Sequence, residues 1–217
     1  MTLDPKDRSW MLARYDARLE QFGDDIRTLG SGTEERRRMR FDVLRQAGIT
    51  DGSSVLDVGC GFGDFFGYLT AAGVHVQYLG VDINPKLLDI ARHKHPSAIF
   101  RNADILLDDL ARVDYVVASG IFNLALQSGD NYDYAGRMMR RAHELARRAV
   151  AMDFQTSYVD YRVADIFYYE PERVLALAKG LTKRVTLRHD YPLYEFCVYL
   201  FPDFEGWGTP TETRSDG

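Results

Sequence analysis

A chain of 217 residues has room for one sizeable α/β domain and is short of two, and its 46% apolar and 27% charged residues are ordinary globular composition. The formal charge of -5 and pI near 5.5 argue against a binder of nucleic-acid backbones, whose footprint is usually basic. No apolar run approaches the ~20 residues of a bilayer span, the start "MTLDPKDRSW" lacks the apolar core of a signal peptide, and two cysteines, Cys60 and Cys197, make no disulfide framework. A cytoplasmic protein without membrane attachment is the expectation.

The first fifty residues read as helical, over 7–22 and 33–47, with Gly30-Ser31-Gly32 between the two stretches. Ser31, three residues before Glu34, is spaced as a capping box, and residues 1–50 are expected to form a lid that can move at the glycines. Arg36-Arg37-Arg38 and Arg140-Arg141 read as solvated helix faces.

From residue 53 the pattern alternates. "SSVLDV" reads as a buried strand, "DFFGYLTAAG" as a helix that stops at Gly73, and "VQYLGVD" as a second strand. "NPKLLDIARHKH" follows as a helix with Asn84 at its N-cap and Pro85 in its first turn. "AIFRNAD", "VDYVVASG" and "AVAMDF" are further strands, and the helix "YDYAGRMMRRAHELARRA" lies between the last two. Strands alternating with helices imply a parallel sheet covered on both faces. "RVTLRHDY" and "YEFCVYLF" are only a few residues apart, which suits an antiparallel hairpin. The expected fold is therefore a doubly wound, mostly parallel seven-stranded α/β sheet over 51–201 with an antiparallel C-terminal hairpin, followed by a frayed tail, 202–217.

The junction "VLDVGCGFGDF" holds three alternating glycines, Gly59, Gly61 and Gly63, after an apolar strand. Ligands of open α/β sheets bind outside the carboxyl ends of the strands, where this loop falls. A dinucleotide fingerprint, G-x-G-x-x-G, would place its third glycine at Asp64, so the spacing here is different. Asp57 and Asp64 flank the loop with carboxylates, poor neighbours for a pyrophosphate and good ones for a ligand carrying an ammonium or sulfonium. No Gly-Lys-Ser/Thr follows to make a Walker A loop.

"VLDVGCGFGDF" resembles motif I of the class I S-adenosylmethionine-dependent methyltransferases, and the resemblance runs over about residues 40–201. It implies that Asp57, Gly59, Cys60, Gly61 and Gly63 lie along S-adenosyl-L-methionine, released as S-adenosyl-L-homocysteine. Asp82 in "YLGVDINPKLL" would accept both ribose hydroxyls, with Ile83 beside it. "NADI" would supply Asp104 to the exocyclic amine and Ile105 to the adenine ring; Ser119 and Gly120 would line the methionine part. The final hairpin also agrees with this family and not with a plain dinucleotide fold.

Methyl transfer from a sulfonium needs collinear positioning in a dry site, and a general base only if the nucleophile arrives protonated. The expected acceptor residues are Phe122 and Asn123 after the fourth strand, Asp153 and Phe154 after the fifth, and Tyr15 from the first helix, with Asn123, Asp153 and Tyr15 as catalytic candidates. Nucleobase-reading members of the family often carry Asn/Asp-Pro-Pro-Tyr/Phe where this chain has Ser119-Gly120-Ile121-Phe122-Asn123, which argues against nucleobase amines. The segment "FQTSYVDYRVADIFYYEPE" is dense in aromatics, fit either for a stacking wall or for ordinary packing. The five histidines show no metal-ligand pairing, no metal is expected, and His93 and His95 read as surface residues. A small-molecule acceptor with an O or N nucleophile is the first reading. A protein or RNA methyltransferase, a non-catalytic S-adenosylmethionine-binding partner subunit, and an NAD(P)-linked oxidoreductase are the alternatives. Oligomeric state is not legible.

Overall fold

The computed structural model describes residues 3–203. Three helices precede the sheet: α1 (Pro5–Phe22), α2 (Ile26–Leu29) and α3 (Glu34–Arg45). Asp4 caps α1 by accepting the Lys6 amide, with Pro5 in the first turn. The expected capping box is not formed. Thr33 is the N-cap of α3 and accepts the Arg36 amide, while Ser31 lies in the preceding turn. The short α2, capped by Asp25, was not legible as a helix: four residues are too few to show a period.

The sheet strands are β1 (Ser54–Val58), β2 (Gln77–Asp82), β3 (Ile99–Asn102), β4 (Val113–Ala118), β5 (Ala146–Gln155), β6 (Arg184–Arg188) and β7 (Glu195–Phe201). They lie in the order β3-β2-β1-β4-β5-β7-β6, parallel from β3 through β5, with β7 antiparallel to both β5 and β6. The expected doubly wound sheet and closing hairpin are both present. Strand order reverses between β1 and β4, so a crevice opens beyond their carboxyl ends.

Helices α4 (Asp64–Ala71), α5 (Pro85–Lys94), α6 (Asn131–Leu145) and α7 (Pro171–Lys179) complete the layers. Strand alternation sends Leu56, Val116, Val198 and Leu200 into the core under α6 and α7. Their neighbours Val55, Val117, Cys197 and Tyr199 enter the opposite core, under α3, α4 and α5.

Two further differences from the sequence reading lie in the second half of the chain. Helix α6 ends at Leu145, where the chain passes directly into β5, so Arg147 and Arg148 belong to a strand. Pairing of Ala146 with Val113 overrides the helical preference of the arginines. Helix α7 lay unrecognised beyond the aromatic run; Pro171 opens it, and Val174 and Ala178 bury its inner face. The expected frayed tail falls, from residue 204 on, outside the described residues. No helix among the described residues is long and apolar enough to cross a membrane.

Candidate functional site

The turn from β1 into α4 is fixed by backbone: the Gly59 and Cys60 amides donate to the Val81 carbonyl at 2.8 and 3.1 Å, and the Gly63 amide to Cys60 at 2.8 Å. Gly59 has φ +70, and a Cβ there would stand 2.3 Å from Ile121 Cγ2, so the loop after β4 can close against it only because it is glycine. Gly61, φ +53, faces the lid instead; a Cβ would meet the Leu29 methyls of α2 at 3.1 Å. Gly63 is the N-cap of α4.

Asp82, at the end of β2, anchors this turn. Its Oδ2 accepts the Gly61 amide at 3.0 Å and its Oδ1 the Asn84 amide at 2.8 Å. Asn84, the N-cap of α5, reaches back through Nδ2 to Asp16 of α1 at 2.9 Å. Burial raises the Asp82 carboxyl above its ordinary range, opposed by the amides that hold it. Asp57, 4% exposed, accepts the Tyr78 hydroxyl at 2.5 Å; burial pushes it up to about 7 against that hydrogen bond. Burial likewise pushes up the Cys60 thiol.

Around these residues lies a cavity of about 400 Å³, within the roughly 300–1,000 Å³ usual for small-molecule sites. Every residue expected beside the cofactor lines it except Gly63, where a Cβ would instead meet the rings of Phe100 and His95. Asp104 lines it while its Oδ2 accepts from Arg8 of α1 at 2.9 Å and its Oδ1 from the Leu106 amide at 3.0 Å. Helix α1 is tied down a second time by Asp7, which accepts the amides of Gln127, Ser128 and Gly129. Helix α1 is thereby held against the loops that follow β3 and β4, and Met11, Leu12 and Tyr15 line the cavity from it. Burial and then the Asp82 charge raise the Tyr15 hydroxyl.

The acceptor-side candidates divide. Tyr15 and Asn123 line the cavity, and Asn123 Oδ1 is buried without a hydrogen-bond partner. Asp153 is 2% exposed and does not line the cavity. Its oxygens accept the Ser119 hydroxyl at 2.7 Å and the Gly120 amide at 2.6 Å, and Arg40 Nε stands 3.7 Å away. Burial raises its carboxyl to about 6 against the Arg40 charge. This geometry corrects the placing of Asp153 among the catalytic candidates that meet the acceptor: it braces the loop after β4 through Ser119 and Gly120. Phe122 and Phe154 are corrected as well, since both are buried in the core and stack on each other at 4.5 Å.

The aromatic segment after β5 likewise splits between wall and core. Tyr161 and Tyr168 line the cavity with Val159, Val163 and Ile166. Tyr169 is fully buried, 5.0 Å from Phe154 edge-on, and Tyr158 is exposed, donating to Glu172. His95 is also corrected: it is the C-cap of α5, packed against the rings of Phe66 and Phe100, whereas His93 is exposed. Among the described residues no group of three or more His, Cys, Asp or Glu is arranged to hold a metal ion.

What sequence reasoning missed is charged. Arg40 of α3 forms a two-pronged buried pair with Glu195 of β7, Nε to Oε2 at 2.7 Å and Nη2 to Oε1 at 2.6 Å; Gln155 adds a hydrogen bond at 3.1 Å. Burial disfavours the Arg40 charge, but Glu195 outweighs it and holds the guanidinium protonated. Arg36 and Arg37 line the cavity too, so of the run taken for a solvated face only Arg38 is left off the wall. The signal available was the spacing of Arg36 and Arg40, one helical turn apart.

Comparison with known proteins fits this geometry. A family model for a methyltransferase domain matches residues 55–147. The protein named "Putative methyltransferase Rv1506c", of Mycobacterium tuberculosis (strain ATCC 25618 / H37Rv), is 34% identical over 166 residues, 72% of this chain and 98% of its own length. Among solved structures, the TehB-like SAM-dependent methyltransferase of Corynebacterium glutamicum superposes with a TM-score of 0.56 at 19% identity, over 92% of this chain and 100% of that one. The mycolic acid cyclopropane synthase CmaA1, solved with S-adenosylhomocysteine, has a TM-score of 0.56 at 16% identity, over 71% of this chain and 64% of its own. At such identities the two structures speak for the fold alone.

Proposed function

This chain belongs to the class I S-adenosylmethionine-dependent methyltransferases, and from that premise we propose that it methylates an O or N nucleophile of a small molecule bound in the cavity beneath α1. With the family goes the cofactor, S-adenosylmethionine, and the nicotinamide alternative falls. The observation that supports the finer reading is the cavity itself, about 400 Å³, walled by α1, α2, the glycine turn and the segment after β5. A protein or RNA chain would need a groove open along its length, whereas α1 and α2 add Met11, Tyr15 and Leu29 to the walls of this one.

The residues present fit the cofactor. Gly61 leaves its cavity face free of side chain, and Asp82 gives each carboxylate oxygen to one amide, keeping lone pairs for ribose hydroxyls. Asp57 holds a buried carboxyl whose charge a cation would favour. Asp82, with Ile83 beside it, would hold the ribose. Asp104 and Ile105 would hold the adenine, and Asp57, Gly59, Cys60 and Gly61 the methionine half together with Ser119 and Gly120. When bound, S-adenosylmethionine supplies a methyl group activated by its sulfonium.

The chain's own part is orientation and exclusion of water. Asp153 sets the loop after β4 through Ser119 and Gly120, so Asn123 is presented to the cavity with its amide ready to hydrogen-bond the acceptor nucleophile. Tyr15, beside the Asp82 charge, is a hydrogen-bond donor rather than a base. A neutral amine needs no base before the displacement: its lone pair forms the bond to the methyl carbon as the carbon–sulfur bond breaks, S-adenosylhomocysteine leaves, and the proton of the resulting ammonium passes to water.

A test is to incubate the protein with S-adenosylmethionine carrying a radiolabelled methyl group and fractionated cell extract. Label is expected in the deproteinised small-molecule fraction. Label confined to protein or RNA would overturn the proposal.

A further inference from the structure

Among the described charged residues that line the cavity, all but one are already engaged. Arg37 pairs with Asp64 and Glu34, Arg40 with Glu195, and Asp104 with Arg8. Asp82 accepts two backbone amides, and Asp57 accepts the Tyr78 hydroxyl. Arg36 lines the same cavity, yet its guanidinium makes no hydrogen bond or ion pair with any described residue. A cation at the rim of the site with no partner of its own among the described residues is a charge left for the ligand.

The position of Arg36 assigns that charge to one end of the site. It projects from the first turn of α3, one turn before the buried Arg40, and its stem runs beside Gly32, whose Cβ would stand 3.5 Å from Arg36 Cδ. A shallow depression on the outer side joins it to Pro192, Leu193 and Tyr194. Tyr194 meets Tyr161 edge-on at 6.2 Å, and Tyr161 is 62% exposed and Val163 53%. These belong to the β6–β7 turn and the segment after β5, whereas the glycine turn faces Leu29 of α2. Large exposed apolar and aromatic side chains around one opening mark a surface that a ligand covers.

We propose that the acceptor is a flat, largely apolar small molecule bearing a carboxylate, and that Arg36 is the residue that selects it. The inference rests on the methyltransferase reading and deepens it. Tyr161, Tyr168 and Tyr194 would cover the apolar body, Arg36 would take the carboxylate at the mouth through its planar fork, and the O or N nucleophile would point inward toward Asn123. A neutral analogue of the same shape loses the charge-assisted pair and keeps the rest.

The experiment uses the full chain and two probes, naphthalene carboxylate and naphthalene carboxamide. Each is titrated calorimetrically into protein saturated with S-adenosylhomocysteine, for the wild type, Arg36→Gln and Arg36→Lys. The carboxylate is expected to bind about tenfold more tightly than the carboxamide to the wild type, with the preference gone in Arg36→Gln and partly kept in Arg36→Lys. Equal affinities, binding of neither probe, or a preference that survives in Arg36→Gln would overturn the proposal. Loss of S-adenosylhomocysteine binding in Arg36→Gln alone would also overturn it, by moving Arg36 to the cofactor. Failure of the wild type to bind S-adenosylhomocysteine would sink the methyltransferase reading itself, and the two failures are thereby told apart.

Discussion

At the glycine-turn end of the cavity, polar contacts are made largely by backbone amides and close over short stretches of chain: Asp82 holds Gly61 across 21 residues and Asn84 across two. At the end proposed for the acceptor, the Arg40–Glu195 pair joins residues 155 apart, and Gln155 reaches Glu195 across 40. The first end is a property of one β1–α4–β2 unit. The second exists only after α3, β5 and β7 have come together. A site built this way can keep a constant cofactor grip while its acceptor wall changes by side-chain substitution.

The largest expected effect falls on the long-range end. Arg40→Met leaves Glu195 buried without its partner and should cost about 3–5 kcal/mol of stability, with Arg40→Met/Glu195→Leu recovering much of it. Denaturant unfolding measures both, and a single-variant loss under about 1 kcal/mol would show that the pair does not organise this end.

Two glycines sharpen the other side. Gly59→Ala sets a methyl against Ile121 in a left-handed backbone conformation and should destabilise the fold by about 1–3 kcal/mol. Gly61→Ala carries the same left-handed strain but meets the movable Leu29 side chain instead, so its stability loss should be the smaller of the two while S-adenosylhomocysteine binding weakens. Thermal unfolding and calorimetry on the same pair of variants decide this; equal stability losses with unchanged binding would contradict it.

A smaller effect is expected from pH. Asp57 sits at about 7 in the fold against roughly 3.9 in an unfolded chain, so between those values the folded state binds the extra proton. Its contribution to stability is full below about pH 4 and is lost as pH rises through 7. Binding a cation shifts the balance the other way, because it favours the ionised carboxyl. The affinity for S-adenosylmethionine relative to uncharged-sulfur S-adenosylhomocysteine should therefore rise severalfold from pH 6 to 8, and Asp57→Asn should flatten the rise. A ratio independent of pH in the wild type would remove Asp57 from the cation's surroundings.

The same contrast governs what could be read in advance. The strand order, the closing hairpin and Asn84 at its helix cap followed from periodicity and turn chemistry, both local signals. Gly59, Gly61 and Asp82 were legible because their spacing encodes one turn against one neighbouring strand. Asp153 was misjudged because a strand-end acid looks the same whether it faces a cavity or a loop behind it; only the Ser119 and Gly120 contacts distinguish the cases. Phe122 and Phe154 look like wall residues in sequence, and their stacking in the core depends on Tyr169 from beyond β5. Arg40 was hidden in an arginine-rich helix whose partner lies on the last strand.

The most direct measurement is calorimetric titration of S-adenosylhomocysteine into the wild type and Asp82→Ala. One site per chain is expected in the wild type and a loss of at least about tenfold in the variant, since charge-assisted hydrogen bonds of about 1.5–3 kcal/mol each would be removed. Unchanged affinity in Asp82→Ala, or no binding to the wild type, would contradict it.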